Sequence, residues 1–220
     1  MAYRVKELFH TLQGEGLNAG RSAVFCRFAG CNLWSGREAH RSSAVCQFCD
    51  TDFVGTDGPG GGVFAAPEDL AAAAAQTWSA VTGRAPSEGD ERALLVCTGG
   101  EPLLQLDSPL VEAFRELGFE VAIETNGTIA VPAGVDWVCV SPKAGSDVVV
   151  REGDELKLVF PQPGAEPERF DPTEWRFGHY LLQPMDGPEV RENTIAATEY
   201  CRIHPRWRLG LQTHKMLGIP

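Results

Sequence analysis

One short stretch constrains the fold more than any other, an uninterrupted apolar run over residues 93–97. Strands buried on both faces of a parallel sheet have continuous runs of this kind, whereas half-exposed strands alternate. Apolar runs of similar length recur along the chain, and glycine-rich turns or helical segments separate them. This alternation of strand and helix favours an α/β domain with a mainly parallel sheet.

The predicted elements extend through most of the chain. Strands are predicted at residues 3–9, 22–28, 93–97, 119–123, 135–140, 155–160, 179–182 and 207–211. Helices are predicted at residues 67–81, 109–117 and 188–202. Pro67 suits the first turn of the first of these helices, and Gly83 can end it. Residues 58–62, 84–90 and 161–178 are expected to be irregular.

Helices are sparse between residues 119 and 182, so several crossovers must be loops. We therefore predict an abbreviated, open, partial TIM-type barrel with few crossover helices. One domain over residues 1–220 accounts for the whole length.

The composition limits the classes of function. A formal net charge of −11 argues against a broad nucleic-acid surface, which needs clustered lysine and arginine. The sequence has neither a long apolar run nor a signal-peptide core at its start, so no membrane association is expected. Seven cysteines are an odd number, which favours a reducing cytoplasm over secretion.

Three cysteines, Cys31, Cys46 and Cys49, form an incomplete metal-ligand set. A structural zinc site and an electron-transfer iron–sulfur cluster each normally have four protein ligands. Three thiolates therefore leave one metal position open. Half of a zinc site and a redox pair remain alternatives, and Cys26 is a candidate fourth ligand that lies in a predicted strand. The remaining cysteines lie among apolar residues, which is typical of small buried side chains: Cys97, Cys139 and Cys201.

Polar or glycine-rich motifs follow four predicted strands. The carboxyl ends of parallel strands meet at one edge of a sheet, where ligands gather. Each motif alone is compatible with an ordinary turn, but together they suggest a site for an amino acid attached to a nucleoside. They are Thr98-Gly99-Gly100-Glu101-Pro102, Glu124-Thr125-Asn126-Gly127, Ser141-Pro142-Lys143 and Gln183-Pro184-Met185-Asp186-Gly187.

Two of these features resemble the radical S-adenosylmethionine (SAM) superfamily. Its Cys-x-aromatic-Cys motif is matched by Cys46-Gln47-Phe48-Cys49, and its glycine-glycine-glutamate motif by Gly99-Gly100-Glu101. More locally, the chain is similar to the 7-carboxy-7-deazaguanine synthase family. Further matching pieces are Gln13-Gly14-Glu15-Gly16, Cys49-Asp50-Thr51, Glu124-Thr125-Asn126-Gly127, Ser141-Pro142-Lys143, Gln183-Pro184-Met185-Asp186 and Gln212-Thr213-His214-Lys215.

The spacing of the first two cysteines departs from the superfamily, which usually separates them by only a few residues. Here residues 32–45 intervene, so this part of a cluster-binding loop at about residues 30–62 must bulge out and return. Ligation requires convergence in space, so the departure concerns the conformation of the loop.

The resemblance implies three cofactors. A 4Fe–4S cluster would be held by Cys31, Cys46 and Cys49, with SAM on the fourth iron, and Thr51 would bind Mg²⁺. No side chain is predicted to be catalytic, because SAM generates the substrate radical. The SAM contacts that it implies are Phe48, Asp50, Gly99, Gly100, Glu101, Asn126, Ser141, Pro142, Lys143 and Gln183.

The implied reaction converts 6-carboxy-5,6,7,8-tetrahydropterin to 7-carboxy-7-deazaguanine by hydrogen abstraction at C6, ring contraction and loss of ammonia. Arg27 would bind the substrate carboxylate, and either Glu15 or the terminal carboxylate of Pro220 would bind the pterin edge. Extending the chain past Pro220 is therefore expected to impair substrate binding. The implied substrate contacts are Leu12, Gln13, Gly14, Glu15, Arg27, Thr98 and Pro220.

The resemblance also implies a carbon–nitrogen lyase of 7-deazapurine and queuosine biosynthesis. Its partners would be an external, flavodoxin-like one-electron donor and a second copy of the chain in a homodimer. Two other interpretations stay open at this point. One is a radical SAM activase of a glycyl-radical partner, and the other is a zinc-stabilised binding module without enzymatic activity.

Overall fold

A computed structural model describes residues 2–89 and 92–220, so the end of the loop predicted at 84–90 lies outside the described residues. Within them, nine strands form one sheet in the order β3-β1-β2-β4-β5-β6-β7-β8-β9. The strands are β1 (Tyr3–Leu12), β2 (Ser22–Phe28), β3 (Gly62–Phe64), β4 (Ala93–Gly99), β5 (Phe119–Thr125), β6 (Trp137–Val140), β7 (Glu152–Phe160), β8 (Arg176–Pro184) and β9 (Trp207–Leu209).

The sheet is mainly parallel and does not close. Strand β1 runs antiparallel to β2 and β3, and from β2 to β9 every neighbouring pair is parallel. Strands β3 and β9 lie at opposite edges of the sheet. The prediction of an open, abbreviated barrel with few crossover helices is therefore confirmed.

The described residues form four α-helices: α1 (Pro67–Thr82), α2 (Ser108–Glu116), α3 (Val190–Ile203) and α4 (Thr213–Leu217). Pro67 occupies the first turn of α1, and Gly83 ends it in the left-handed conformation with φ of 71°. Asp107 caps α2 by accepting a hydrogen bond from the backbone N–H of Leu110 at 3.1 Å.

Within the described residues, two large apolar cores and one small cluster around Leu94 and Val96 lie along the sheet. Helices α1 and α2 pack on strands β1 to β5 around residues such as Leu95 and Phe114, and helix α3 packs on strands β7 to β9 around residues such as Leu158. Val131 and Val138 contact both cores, so they connect the two ends of the sheet.

Several boundaries differ from the sequence predictions. Strand β3 and helix α4 were not predicted, because elements of three and five residues are too short to show a period. Strand β8 begins at Arg176, so the irregular connection predicted to reach residue 178 ends earlier. Strands β1 and β7 are longer than predicted, and β9 ends at Leu209.

Candidate active site

A cavity of about 410 Å³ runs along the inner side of the sheet, within the range of roughly 300–1,000 Å³ that is usual for small-molecule sites. The carboxyl ends of the parallel strands form one end of its wall. Strand β1 runs the other way, with Leu12 beside Ser22 at the start of β2. The residues that follow β1 therefore enter the cavity from the opposite end.

All three predicted ligand cysteines line this cavity. Cys31 lies just beyond β2, and its Sγ accepts a hydrogen bond from the backbone N–H of Leu33 at 3.4 Å. Cys46 donates a hydrogen bond to Cys49, which raises the pKa of Cys46 and lowers that of Cys49 to about 6. Cys26 lies fully buried in β2, where burial raises its pKa well above the ordinary value.

The glycine pair at the end of β4, Gly99 and Gly100, allows a close approach of the predicted cluster-binding loop at about residues 30–62, here called the cysteine loop. A Cβ on Gly100 would lie 2.2 Å from the carbonyl oxygen of Gly30 and 2.7 Å from Cβ of Cys31. Gly99 has φ of 143°, and a Cβ there would lie 2.3 Å from the carbonyl oxygen of Phe28. A larger residue at Gly100 would therefore push this loop away from β4, and one at Gly99 would push away the end of β2.

Glu101 does not line the cavity, unlike its neighbours Gly99 and Gly100. Its side chain is fully buried and accepts hydrogen bonds from Leu103 N, Thr125 Oγ1 and Asn126 N at 3.0, 2.7 and 2.8 Å. Burial raises the pKa of this carboxyl group, although the three donors oppose the shift. The carboxylate thus holds the end of β5 against the end of β4.

The ends of β5, β6 and β8 add polar groups to the same wall. Asn126 donates from Nδ2 to Asn32 in the cysteine loop at 2.9 Å. Lys143 donates to the carbonyl oxygen and Oγ of Ser141 at 2.8 and 2.6 Å, and its Nζ lies 6.0 Å from the ring centroid of Phe48. Burial lowers the pKa of Lys143.

A buried ionic cluster also lines the cavity. Lys157 in β7 pairs with Glu15 at 2.5 Å and with Glu124 at 3.4 Å. Gln13 donates to Glu124 at 3.0 Å, and Gln212 donates to Glu15 at 2.8 Å. Burial alone would lower the pKa of Lys157, but the two carboxylates raise it, and Lys157 in turn lowers the pKa of Glu15 against the effect of burial.

The chemistry of this wall fits the implied cofactors. Thiolate sulfur is the usual protein ligand of iron–sulfur clusters. Gln183 lines the cavity with a buried Oε1 that has no partner within the described residues, so a donor on a bound ligand would satisfy it. Among the described residues, no three His, Cys, Asp or Glu side chains converge on one ion position. A cube of four irons holds its thiolates farther apart than one zinc ion does.

Arg27 and Thr98, the predicted contacts at the ends of β2 and β4, are partners in the sheet register. Arg27 already donates to Glu7 at 2.6 Å, so the side chains of Arg27 and Glu7 line the cavity as an ion pair. The backbone oxygen of Pro220 accepts a hydrogen bond from Thr11 at 2.9 Å, which brings the end of the described chain to the cavity.

Almost all of the predicted site residues line this one cavity. Glu101 and Pro142 do not belong to its lining. Those that do are Leu12, Gln13, Gly14, Glu15, Arg27, Cys31, Cys46, Phe48, Cys49, Asp50, Thr51, Thr98, Gly99, Gly100, Asn126, Ser141, Lys143, Gln183 and Pro220. The contacts that each residue makes with a ligand stay predictions.

The sequence patterns did not single out Lys157, which also lines the cavity, and they gave no role to His214 and Lys215 of the matching piece at residues 212–215. A lysine within the otherwise apolar run of residues 156–160 was a usable signal, because such a charge is buried only with a partner. Lys215 bridges Asp50 and Asp186 at 2.6 Å each. Its neighbour His214 lies against Gly14, where a Cβ would approach Nδ1 to 2.2 Å.

Comparison with known proteins gives full-length relatives, although no protein-family model matches. The chain is 60% identical over 220 residues to the 7-carboxy-7-deazaguanine synthase of Caulobacter vibrioides, with 100% of each sequence covered. It is 58% identical over 219 residues to the synthase of Bradyrhizobium diazoefficiens, also with full coverage of both.

A solved structure is also similar. The crystal structure of QueE from Escherichia coli matches with a TM-score of 0.69 and 27% identity, and the match covers 96% of this chain and 94% of that one. The resemblance seen in the motifs is therefore confirmed along the whole length. The chain belongs to the 7-carboxy-7-deazaguanine synthase family.

Proposed function

We propose that this protein is a radical SAM lyase that converts 6-carboxy-5,6,7,8-tetrahydropterin to 7-carboxy-7-deazaguanine, a step of queuosine biosynthesis. The observation that carries the proposal is the single cavity in which the cysteine trio meets the polar ends of β4, β5, β6 and β8. The full-length relatives named as synthases support it.

The cofactor assignment follows the same residues. Cys31, Cys46 and Cys49 would hold a 4Fe–4S cluster, and the ends of the strands would hold SAM beside it. When bound, these groups supply the one-electron chemistry that starts the reaction at C6 of the substrate. The role of the chain is to bind and orient the cofactors and the substrate, and to exclude water from them.

Individual side chains divide these tasks. Lys143 and Ser141 present a cation and a hydroxyl where the carboxylate of an amino acid would bind. Gln183 offers a free carbonyl oxygen to an amino group. Lys157 keeps Glu15 ionised, so this carboxylate is ready to accept hydrogen bonds from the N–H groups of a pterin.

We also propose Mg²⁺ at Thr51, which lines the cavity directly after Cys49. Mg²⁺ keeps most of its ligands as water and substrate oxygens, so one protein hydroxyl is sufficient. Arg27, which also lines the cavity, would then bind the substrate carboxylate, and its pairing with Glu7 would fix the direction of its side chain. Thr51→Val is expected to raise the Mg²⁺ concentration needed for half-maximal turnover. Thr51→Ser, which keeps the hydroxyl, should leave this concentration unchanged.

The remaining assignments concern the surroundings. All seven cysteines are described and carry free thiols, which supports the proposal of a reducing cytoplasm. In the described part of the chain, no helix has the length and apolarity required to cross a bilayer. An external one-electron donor and a homodimer complete the proposal.

The decisive experiment is turnover by anaerobically reconstituted protein with SAM, a reductant and the carboxypterin. Formation of 7-carboxy-7-deazaguanine is expected, and replacement of Cys31, Cys46 or Cys49 by alanine should abolish it. Cys201→Ala, a half-buried thiol outside the cavity lining, is the matched control. Full activity in any of the three ligand variants would exclude the assignment.

The two other interpretations make different predictions in the same assay. An activase would form a glycyl radical on a partner protein and no carboxydeazaguanine. A zinc module would be colourless after reconstitution and would bind one zinc ion per chain.

A further inference from the structure

The segment between the first two cysteines is a folded element. Residues 38–43 within it form a short 3₁₀ helix, Glu38–Ser43. The backbone N–H groups of Val45 and Cys46 both donate to the carbonyl oxygen of Leu33, at 3.1 and 3.4 Å. These bonds close the insertion at its base, directly beside Cys46.

Arg41 is the best-anchored side chain of this 3₁₀ helix. Its guanidinium carbon lies 4.1 Å from the ring centroid of Trp34. Trp34 is buried and packs edge-on against Phe53, with centroids 5.6 Å apart and an interplanar angle of 87°. Glu38 accepts from Nε of Arg41 at 2.8 Å, so both the face and the edge of the guanidinium are held.

The remaining donors of Arg41 reach the cysteine turn. One terminal nitrogen donates to the carbonyl oxygens of Gln47 and Cys49, at 2.9 and 3.1 Å. These two carbonyl groups lie on either side of Phe48. Because each belongs to a planar peptide unit, fixing both oxygens fixes the backbone that carries Cys46 and Cys49.

We propose that Arg41 is a positioning residue that holds the Cys46–Cys49 turn ready for the iron–sulfur cluster. The inference rests on the proposed function, because it assumes that these thiols bind a cluster. It gives a role to the insertion that separates this chain from the usual cysteine spacing. A planar guanidinium bonded at several atoms fits this task, whereas an ammonium group forms only a compact point contact.

The test compares iron retention in the parent protein, Arg41→Gln and Arg37→Gln after anaerobic reconstitution. Arg37 is an exposed arginine of the same insertion, so its replacement makes the same change of charge without touching the turn. The measurement is the rate of iron release to a ferrous chelator, without SAM or substrate. We expect release about tenfold faster in Arg41→Gln, as is typical when a group that orients metal ligands is lost. Arg37→Gln should match the parent.

Further variants separate positioning from stability. Arg41→Lys keeps the charge and should still release iron faster than the parent. Glu38→Gln should have a smaller effect than Arg41→Gln, because its own carboxylate is largely exposed. The thermal midpoint of each metal-free protein shows whether the fold is intact. If Arg41→Gln does not fold, the rate for Arg41→Lys decides.

Equal iron release from the parent and the Arg41 variants would overturn the proposal and leave the proposed function intact. A parent protein that takes up no iron would overturn both. Iron retention that depends on Arg41, without any carboxydeazaguanine formed by the parent, would support the positioning role and reject only the proposed reaction.

Discussion

At the scale of single residues, the cavity depends on charges that the fold holds out of water. Lys157 has a side chain only 6% exposed and is flanked by the carboxylates of Glu15 and Glu124. Such a cluster is stable only while it is complete, because removing one partner leaves an uncompensated buried charge. The orientation of Glu15 therefore depends on Lys157.

Replacing Lys157 by methionine should lower the free energy of unfolding at neutral pH by about 3–5 kcal/mol. In the parent, the pKa of Glu15 is lowered from 4.5 to about 2, so the contribution of the pair is present above pH 4.5 and is lost as the pH falls through 2. In the variant, burial without a cation raises the pKa of Glu15. Lowering the pH therefore stabilises the folded variant, because protonation removes the buried charge.

The difference in stability between parent and variant should therefore narrow as the pH falls from neutral, which denaturant titration at several pH values would measure. The double variant Lys157→Met, Glu15→Gln should recover part of the loss. A difference that stayed constant across the acid range would contradict this account.

Gly100→Ala should disturb the cysteine loop, since its Cβ would lie 2.2 Å from the carbonyl oxygen of Gly30. We expect a loss of about 1–3 kcal/mol in stability, together with less iron per chain after reconstitution. Gly62→Ala is the control, because its Cβ would come no closer than 3.7 Å to the ring of Phe64. Equal iron contents in the two variants would show that the close approach is not required.

At the scale of elements, helix α4 connects parts of the cavity that are distant in sequence. Lys215 joins Asp50 of the cysteine loop to Asp186 beyond β8. Its contact also lowers the pKa of Asp186. Thr213 donates to the carbonyl oxygen of Gly14 through its backbone N–H at 2.9 Å and its Oγ1 at 3.0 Å. This short helix is therefore held by its contacts rather than by its own propensity.

Lys215→Met should loosen α4, because two carboxylates then face each other without the cation. For a partly exposed ion pair, the free energy needed to open the helix locally should fall by about 1 kcal/mol. Hydrogen–deuterium exchange over residues 211–220 should become about fivefold faster. Arg208→Met, at an exposed position of β9, should leave the exchange unchanged. Unaltered exchange in Lys215→Met would show that α4 is held by other contacts.

At the scale of the whole molecule, one open sheet supports two cores that meet at Val131 and Val138. Strands β4 and β8 lie in different cores, yet both contribute residues to the same cavity. The cavity therefore exists only while both cores are folded, and we expect the two cores to unfold together. The continuity of the sheet between β5 and β7 provides the structural basis for that coupling.

Leu110→Ala, at a fully buried position of α2, tests this cooperativity. It should lower the unfolding free energy by about 2–5 kcal/mol. In native-state hydrogen exchange, the free energy of opening of the slowest amides should fall by the same amount in β4 and in β8. Ile195→Ala, at a position 57% exposed, is the neutral control. A loss confined to β4 would mean that the two cores unfold separately.

Local patterns in the sequence were sufficient for the class of fold, and together with the family resemblance they located many residues that line the cavity. A continuous apolar run such as residues 93–97 requires burial on both faces, and this follows from the side chains themselves. The cysteine trio and the motifs after the strands could be located because strand ends in parallel sheets converge. Confirmation of the family by full-length relatives agrees with this interpretation.

Tertiary structure alone decided which distant groups became partners. Lys157 pairs with Glu15, and Lys215 bridges to Asp50. Each of these contacts joins segments far apart in the chain, and the local sequence of one segment carries no trace of the other. Elements as short as β3 and α4 likewise have too few residues to show a period. The physical reason is that such contacts depend on chain segments brought together by the packed sheet, whereas propensity and periodicity act only between near neighbours.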